Sequence, residues 1–228
     1  MADPIVLLPV QSAYDRWSAS YDSYDNPMIF AARRALAAEF SNVMGVKVFE
    51  FGCGTGQSLA FLKTRGASLL AGCDLSAGML SVAQNNNPGF PICQADITKP
   101  LPLASHQFDL VLFCLSLEHV ENPLHPLEEA RRLLRPGGQI AIFEIHPFLS
   151  LTGVAAHFKD GGEEVRMPTY PHQFSTYCNA FAKLGLVAKC REWRPCDFPD
   201  APVKVLKRGA ELPILVQFTV APDIDRFL

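Results

Sequence analysis

The chain has 228 residues, 49% of them hydrophobic and 19% charged, with a formal net charge of −3 at pH 7. That apolar content fills one sizeable core and leaves room for an appended cap. The acidic balance and the lack of a long basic run argue against a nucleic-acid groove as the main partner, and no stretch reaches the ~20 apolar residues of a membrane span.

The opening MADPIVLLPV is apolar but broken by Pro4 and Pro9 and lacks a basic leader, so no secretory signal is expected. Seven cysteines without a C-x-x-C pair predict reduced, mostly buried thiols in a cytoplasmic protein, with no zinc or other metal site. An alanine-rich helix, FAARRALAAEF at 30–40, carries Arg33 and Arg34. From residue 46 short apolar strands alternate with amphipathic helices. A strand is expected at 46–51, then a helix at 57–66 stopped by Gly66. The next pair is a strand at 68–74 and a helix at 76–86, with Ser76 as N-cap. Strands at 91–96 and 108–115 follow, then a helix at 125–134, the turn RPGG at 135–138 and a strand at 139–145.

Beyond residue 145 the rhythm breaks. Residues 146–170 carry prolines, glycines and histidines. A helix is expected at 172–184, strands at 186–192 and 213–220, and a long loop at 193–212. Loops of that length tend to serve as lids or binding loops. Alternating strands and helices predict an α/β fold: a parallel sheet with helices on both faces and ligands beyond the C-terminal strand ends. Those ends carry Glu50, Asp74, Asp96 and the segment from Cys114 to His119.

The first strand-to-helix turn is VFEFGCGTGQSLAFL, residues 48–62. Gly52, Gly54 and Gly56 let the chain turn tightly and let a ligand approach bare backbone, in front of the free N–H groups of a helix. A dinucleotide fingerprint needs G-x-G-x-x-G, and position 57 is glutamine. Glu50, two residues before the first glycine, would repel a pyrophosphate and attract a cation. A ligand with a carboxylate, an ammonium group and a nucleoside fits better, and S-adenosylmethionine has all three. Asp74, 18 residues after Gly56, is placed to accept from both ribose hydroxyls, and Asp96 from an exocyclic adenine amine.

VFEFGCGTGQ, GCDLSAGML, CQADITKPLPLASHQFDLVLFCLSLEHVENP and EEARRLLRPGGQIAIFE, in order at 46–145, resemble the successive motifs of class I S-adenosylmethionine-dependent methyltransferases. The group that includes the ubiquinone and menaquinone biosynthesis enzymes is the most similar. The resemblance implies a Rossmann-like sheet of seven strands, mostly parallel with the last antiparallel, and a lid made by the N-terminal helix plus inserts. It divides the chain into a helical cap (1–45), whose YDRWSASYDSY folds over the cofactor, a cofactor-binding core (46–145), and a completion of the sheet with acceptor-binding inserts at 146–170 and 193–212. It implies that Gly52, Gly54 and Gly56 hold the methionyl end, that Glu50 orients the ammonium group and Asp74 the ribose, and that Leu75 and Met79 flank the adenine. Asp96 and Ile97 meet the adenine edge, Cys114 approaches the sulfonium, and Tyr14 and Tyr21 close over the methionine.

The implied activity is methyl transfer to a small-molecule acceptor, releasing S-adenosylhomocysteine. A base is wanted if the acceptor is a hydroxyl or an acidic carbon. His119, just past the fourth strand, is the first candidate and His146, after the fifth, the second; His157 and His172 lie in the lid region. Glu118 is not paired with His119, because neighbours on a helix point apart. The aromatic residues of the inserts, among them Phe148, Phe158, Tyr170, Phe174, Tyr177, Trp193 and Phe198, fit either an aromatic acceptor or a plain hydrophobic cover. Three rival readings stand. They are a nicotinamide-dependent oxidoreductase, a non-catalytic cofactor-binding module, and a nucleic-acid or protein methyltransferase. The last lacks its Asn/Asp-Pro-Pro-Tyr tetrapeptide, where this chain has CLSL.

Overall fold

The computed structural model describes residues 3–207 and 209–222. Its elements run β1 (Ile5–Leu7), α1 (Val10–Trp17), α2 (Pro27–Glu39), β2 (Lys47–Phe51), α3 (Gln57–Thr64), β3 (Leu69–Asp74), α4 (Ala77–Asn86), β4 (Ile92–Gln94), β5 (Phe108–Cys114), α5 (Leu124–Leu133) and β6 (Leu134–Ile145). They continue as α6 (Pro147–Leu151), β7 (His157–Asp160), β8 (Glu163–Arg166), α7 (Phe174–Lys183), β9 (Val187–Trp193), α8 (Val203–Leu206) and β10 (Leu215–Ala221).

Seven strands form one sheet in the order β4-β3-β2-β5-β6-β10-β9. The pairs from β4 to β6 are parallel, and β10 runs antiparallel to both neighbours. The expected Rossmann-like sheet with an antiparallel last strand is thus present. β2 and β5 sit centrally because their residues are apolar on both faces: Val48, Phe49 and Phe51 face Leu110, Val111, Leu112 and Phe113, all buried. The strand order reverses between β2 and β5, and at that reversal the strand ends leave a crevice.

Local signals account for most boundaries. Asn26 caps α2 ahead of Pro27, accepting from Met28 N–H at 2.8 Å. Ser76 caps α4, accepting from Met79 N–H at 3.0 Å, as its position predicted. The RPGG turn is a loop-out within β6: Leu134 pairs with Phe108, and pairing resumes only at Gln139 with Leu110.

Three expectations need correction. The first is the helical cap. The initial apolar run is strand β1, paired with β8, and β8 pairs with β7 to make a separate three-stranded sheet. The signal was Asp160-Gly161-Gly162-Glu163, in which both glycines have positive φ (58° and 83°), the geometry of a tight hairpin. The second is the N-terminal helix of the lid, which does not run through YDRWSASYDSY. α1 ends at Trp17, and a single 3₁₀ turn follows at Tyr21–Ser23. The third concerns the thiols: Cys53 and Cys73 are buried, but Cys93, Cys178, Cys190 and Cys196 are exposed.

Candidate active site

The turn after β2 keeps all three glycines at positive φ, 68° at Gly52, 52° at Gly54 and 78° at Gly56. A side chain on Gly52 would lie 2.6 Å from Ser116 Cβ, so this position admits only glycine. Gly54 would meet nothing within 4 Å. Its room belongs to the crevice, which has an empty volume of about 780 Å³, open mouth included.

Ten of the twelve cofactor candidates line that crevice together: Tyr14, Tyr21, Gly52, Gly54, Asp74, Leu75, Met79, Asp96, Ile97 and Cys114. Glu50 faces an adjoining recess with Gly52, Gly54, Cys114 and Arg33. Gly56 lies behind the turn, where an added Cβ would come within 3.3 Å of Ala83 Cβ, so it serves helix packing.

Asp74 is held rigidly at the end of β3. Its Oδ2 accepts from Gly54 N–H at 2.8 Å and its Oδ1 from Ser76 N–H at 2.9 Å. Each oxygen keeps a further lone pair for a ligand hydroxyl. Burial raises the Asp74 pKa, although the backbone donors oppose the shift. Asp96 ties Oδ1 to Thr98, accepting from its N–H at 2.9 Å and its hydroxyl at 2.7 Å, and keeps Oδ2 for a ligand.

Glu50 is 2% exposed, and its Oε2 has no hydrogen-bond partner. Burial pushes its pKa up to about 8, with Ser58 pulling back and Asp74 adding to the rise. A buried carboxyl with an unused oxygen awaits a donor or a cation. Arg33 lines the same recess, 3.7 Å from Asp22, whereas Arg34 pairs with Asp200 elsewhere. Asp22 in turn accepts from Thr55 Oγ1 at 2.7 Å and Gln57 Nε2 at 3.0 Å, fastening the cap to the glycine turn.

His119 and His146 fare differently. His119 lines the crevice, with burial lowering its pKa. Its Nδ1 lies 2.9 Å from the Pro168 carbonyl, which can only accept, so Nδ1 carries the proton. Nε2 then accepts from the Tyr14 hydroxyl at 2.8 Å. Both ring nitrogens are engaged. His146 is not part of the crevice: it is 4% exposed, its Nδ1 caps α6 by accepting from Phe148 N–H, and its Nε2 lies 2.9 Å from Glu192. His172 is buried against the Val120 carbonyl at 2.7 Å, and His157 lines the cavity described next.

A second cavity, about 1150 Å³ with its mouth, shares Tyr14, Tyr21 and Leu115 with the first. The inserts contribute Val154, Ala155, Ala156, His157, Lys204 and Lys207. Its aromatic lining is Tyr14, Trp17, Tyr21 and Tyr24, all from the N-terminal segment. The insert aromatics sit elsewhere. Phe158 stacks on Trp17 at 4.6 Å, Phe174 and Tyr177 pack on Phe218, Trp193 and Phe198 stack on each other, and Phe148 is half exposed.

Sequence reasoning missed two groups here. Leu115 adopts φ 55°, a strained value for leucine, at the point where both cavities and the Glu50 recess meet. Glu118 lines the second cavity, and its Oε1 is 3.9 Å from His119 Nε2. Residues 117–119 form a 3₁₀ turn rather than an α-helix, and the two neighbours still line different cavities. Glu144 on β6 holds that turn by accepting from Ser116 N–H at 2.9 Å and Leu117 N–H at 2.8 Å. Among the described residues no group of three or more histidines, cysteines or carboxylates is placed to hold a metal.

Residues 49–142 match the family model described as a methyltransferase domain. Over this stretch the chain is similar to methyltransferase domains. The demethylmenaquinone methyltransferase of Paenarthrobacter aurescens is 31% identical over 147 residues, 62% of this chain and 57% of that one. The malonyl-[acyl-carrier protein] O-methyltransferase of Enterobacter lignolyticus is 33% identical over 138 residues, 60% of this chain and 54% of that one. The matched stretch therefore spans little more than half the length of these relatives. An S-adenosylmethionine-dependent methyltransferase from Mesorhizobium loti superimposes with a TM-score of 0.68 at 24% identity, over 83% of this chain and 97% of that one. The [4+2]-cyclase SpnF superimposes with a TM-score of 0.65 at 16% identity, over 96% of this chain and 98% of that one. These two likenesses concern the fold. Among the described residues no helix is long and apolar enough to cross a membrane.

Proposed function

We propose that the protein transfers a methyl group from S-adenosylmethionine to a small-molecule acceptor. The observation that carries this reading is the Glu50 recess. A buried carboxyl with an unused oxygen and the Arg33 guanidinium share one wall behind the glycine turn. That pair complements the ammonium and carboxylate of an amino acid, and no pyrophosphate would settle beside Glu50. Asp74 suits a ribose diol, and Leu75 and Met79 offer an apolar slot for a flat base.

The cofactor supplies an electrophilic sulfonium methyl; the protein supplies alignment and a dry site. Tyr14 and Tyr21 stand between the donor crevice and the second cavity. The acceptor enters the second cavity, where reacting atoms about 3–3.5 Å apart would be in attack geometry. His119 holds the Tyr14 hydroxyl at this junction through Nε2. Glu50 and Glu144 are buried and Asp74 and Glu118 partly so, and burial raises the pKa of all four, so a cationic group placed beside them would favour their charged forms.

The test is label transfer. Protein incubated with methyl-labelled donor and a panel of small aromatic acceptors should release S-adenosylhomocysteine in proportion to labelled product. Binding of the donor without turnover on any acceptor would favour a non-catalytic or rearranged role on this fold.

A further inference from the structure

Resting on the methyl-transfer reading, we propose that Glu118 is the acceptor-side base of this site and that the acceptor is a hydroxyarene, a planar apolar ring bearing an ionisable O–H. His119 and Glu118 are neighbours in sequence but face different cavities: His119 lines the donor crevice, and Glu118 lines the second cavity. His119 has no free nitrogen, since Nδ1 donates to Pro168 and Nε2 accepts from Tyr14. Glu118 has capacity left. The Ala156 backbone tempers the rise in its pKa, and His119 Nε2 at 3.9 Å is beyond hydrogen-bond reach.

The walls around Glu118 choose the ring. Tyr14, Trp17, Tyr21 and Tyr24 with Ile29 and Ile145 offer flat and aliphatic surfaces. The base chooses the reacting atom. An arylamine attacks with its own lone pair, and an aryl carboxylate is already an anion, which an ionised Glu118 would repel. An aromatic hydroxyl gains most from proton removal. In the step the O–H bond breaks and its proton passes to the Glu118 carboxylate. The oxygen pair forms the O–CH₃ bond while the C–S bond breaks, its electrons staying on sulfur as a neutral thioether.

Glu118 titrates among several groups: Glu144, Tyr14, Tyr21 and Tyr177 interact with it electrostatically, and Asp25, His157, Lys204 and Lys207 line the same cavity. Burial lifts its pKa to about 7, which suits proton transfer near neutrality.

The experiment compares wild type, Glu118→Gln and Glu118→Asp, each first titrated with S-adenosylhomocysteine to establish a folded, competent donor crevice. The panel contains 1-naphthol and 4-methylphenol with their matched arylamines and aryl carboxylates. The expected result is methylation of the hydroxyarenes, slowed about 10²–10⁴-fold by Glu118→Gln and much less by Glu118→Asp. An acid limb near pH 7 in the wild-type kcat profile should vanish in Glu118→Gln, as should an infrared carboxyl band titrating there in the complex with S-adenosylhomocysteine. Hydroxyarene turnover unchanged in Glu118→Gln overturns the proposal. So does a wild-type protein that binds S-adenosylhomocysteine yet methylates only amines or carboxylates, or nothing in the panel. Failure of the wild type to bind S-adenosylhomocysteine at all removes the methyl-transfer reading itself.

Discussion

Asp15 on α1 accepts from the Ser76 hydroxyl at 2.6 Å and the Gly78 N–H at 2.9 Å through one oxygen, Oδ1. The cap is thereby fastened to the N-terminus of α4, directly after Asp74. Asp22 does the same at α3, through Thr55 and Gln57. Two aspartates of the cap thus hold the first turns of the two helices that flank the donor crevice, where free N–H groups and the helix dipole favour negative charge.

Asp15→Ala should lower stability by about 1–3 kcal/mol, the usual worth of charge-assisted hydrogen bonds, and should weaken S-adenosylhomocysteine binding by loosening Tyr14 and Tyr21. Chemical denaturation and calorimetry measure both. Gly78→Ala should act similarly, because a Cβ there would lie 2.8 Å from Ser18 Oγ and 3.1 Å from Asp15. Unchanged affinity in both variants would detach the cap from donor binding.

Tyr14 and His119 form one unit across 105 residues of sequence. Tyr14→Phe and His119→Ala should each slow turnover, and the double variant should be little worse than the more severe single one, a coupling on the order of 1–3 kcal/mol. Fully additive losses in a double-mutant cycle would show that the two act separately.

Asp74→Ala should weaken S-adenosylhomocysteine binding by about tenfold or more, since a ribose diol loses its acceptor while Gly54 and Ser76 lose theirs. Asp74→Asn should fall between, because an amide keeps one acceptor oxygen. Equal affinity in all three proteins would displace the ribose assignment.

The ligand-free protein should lose stability as pH rises from about 4.5 to about 8. Burial raises Glu50 and Glu144 to about 8 from 4.5, so the folded state holds protons that the unfolded chain has released. The stabilisation is complete below the unfolded value and is gone above the folded one. Glu50→Gln should flatten part of that slope in thermal melts followed across this range. A melting temperature that climbs with pH through the window would contradict the burial of these carboxyls.

Much of this was legible in the residues. Gly52, Glu50 and Asp74 announce themselves because a turn, a buried acid and a strand end each demand a residue type at a fixed spacing. β5 was plain because seven apolar-rich residues admit no other reading. Glu118 was hidden because its role depends on a 3₁₀ turn that Glu144 holds from β6, through contacts 27 and 28 residues apart in sequence that periodicity does not encode. His146 misled for the converse reason: its place after β6 is right, but a local cap on α6 and Glu192 use both nitrogens. The β1–β8–β7 sheet escaped because three- and four-residue strands carry little alternation, although the Gly161-Gly162 pair marked its hairpin.

Isothermal titration of the purified chain with S-adenosylhomocysteine, and separately with NAD, addresses the donor crevice most directly. Saturable one-to-one binding of the thioether nucleoside, weakened in Glu50→Gln, with no heat from the dinucleotide, is the predicted result. Binding of NAD with silence toward S-adenosylhomocysteine would contradict it.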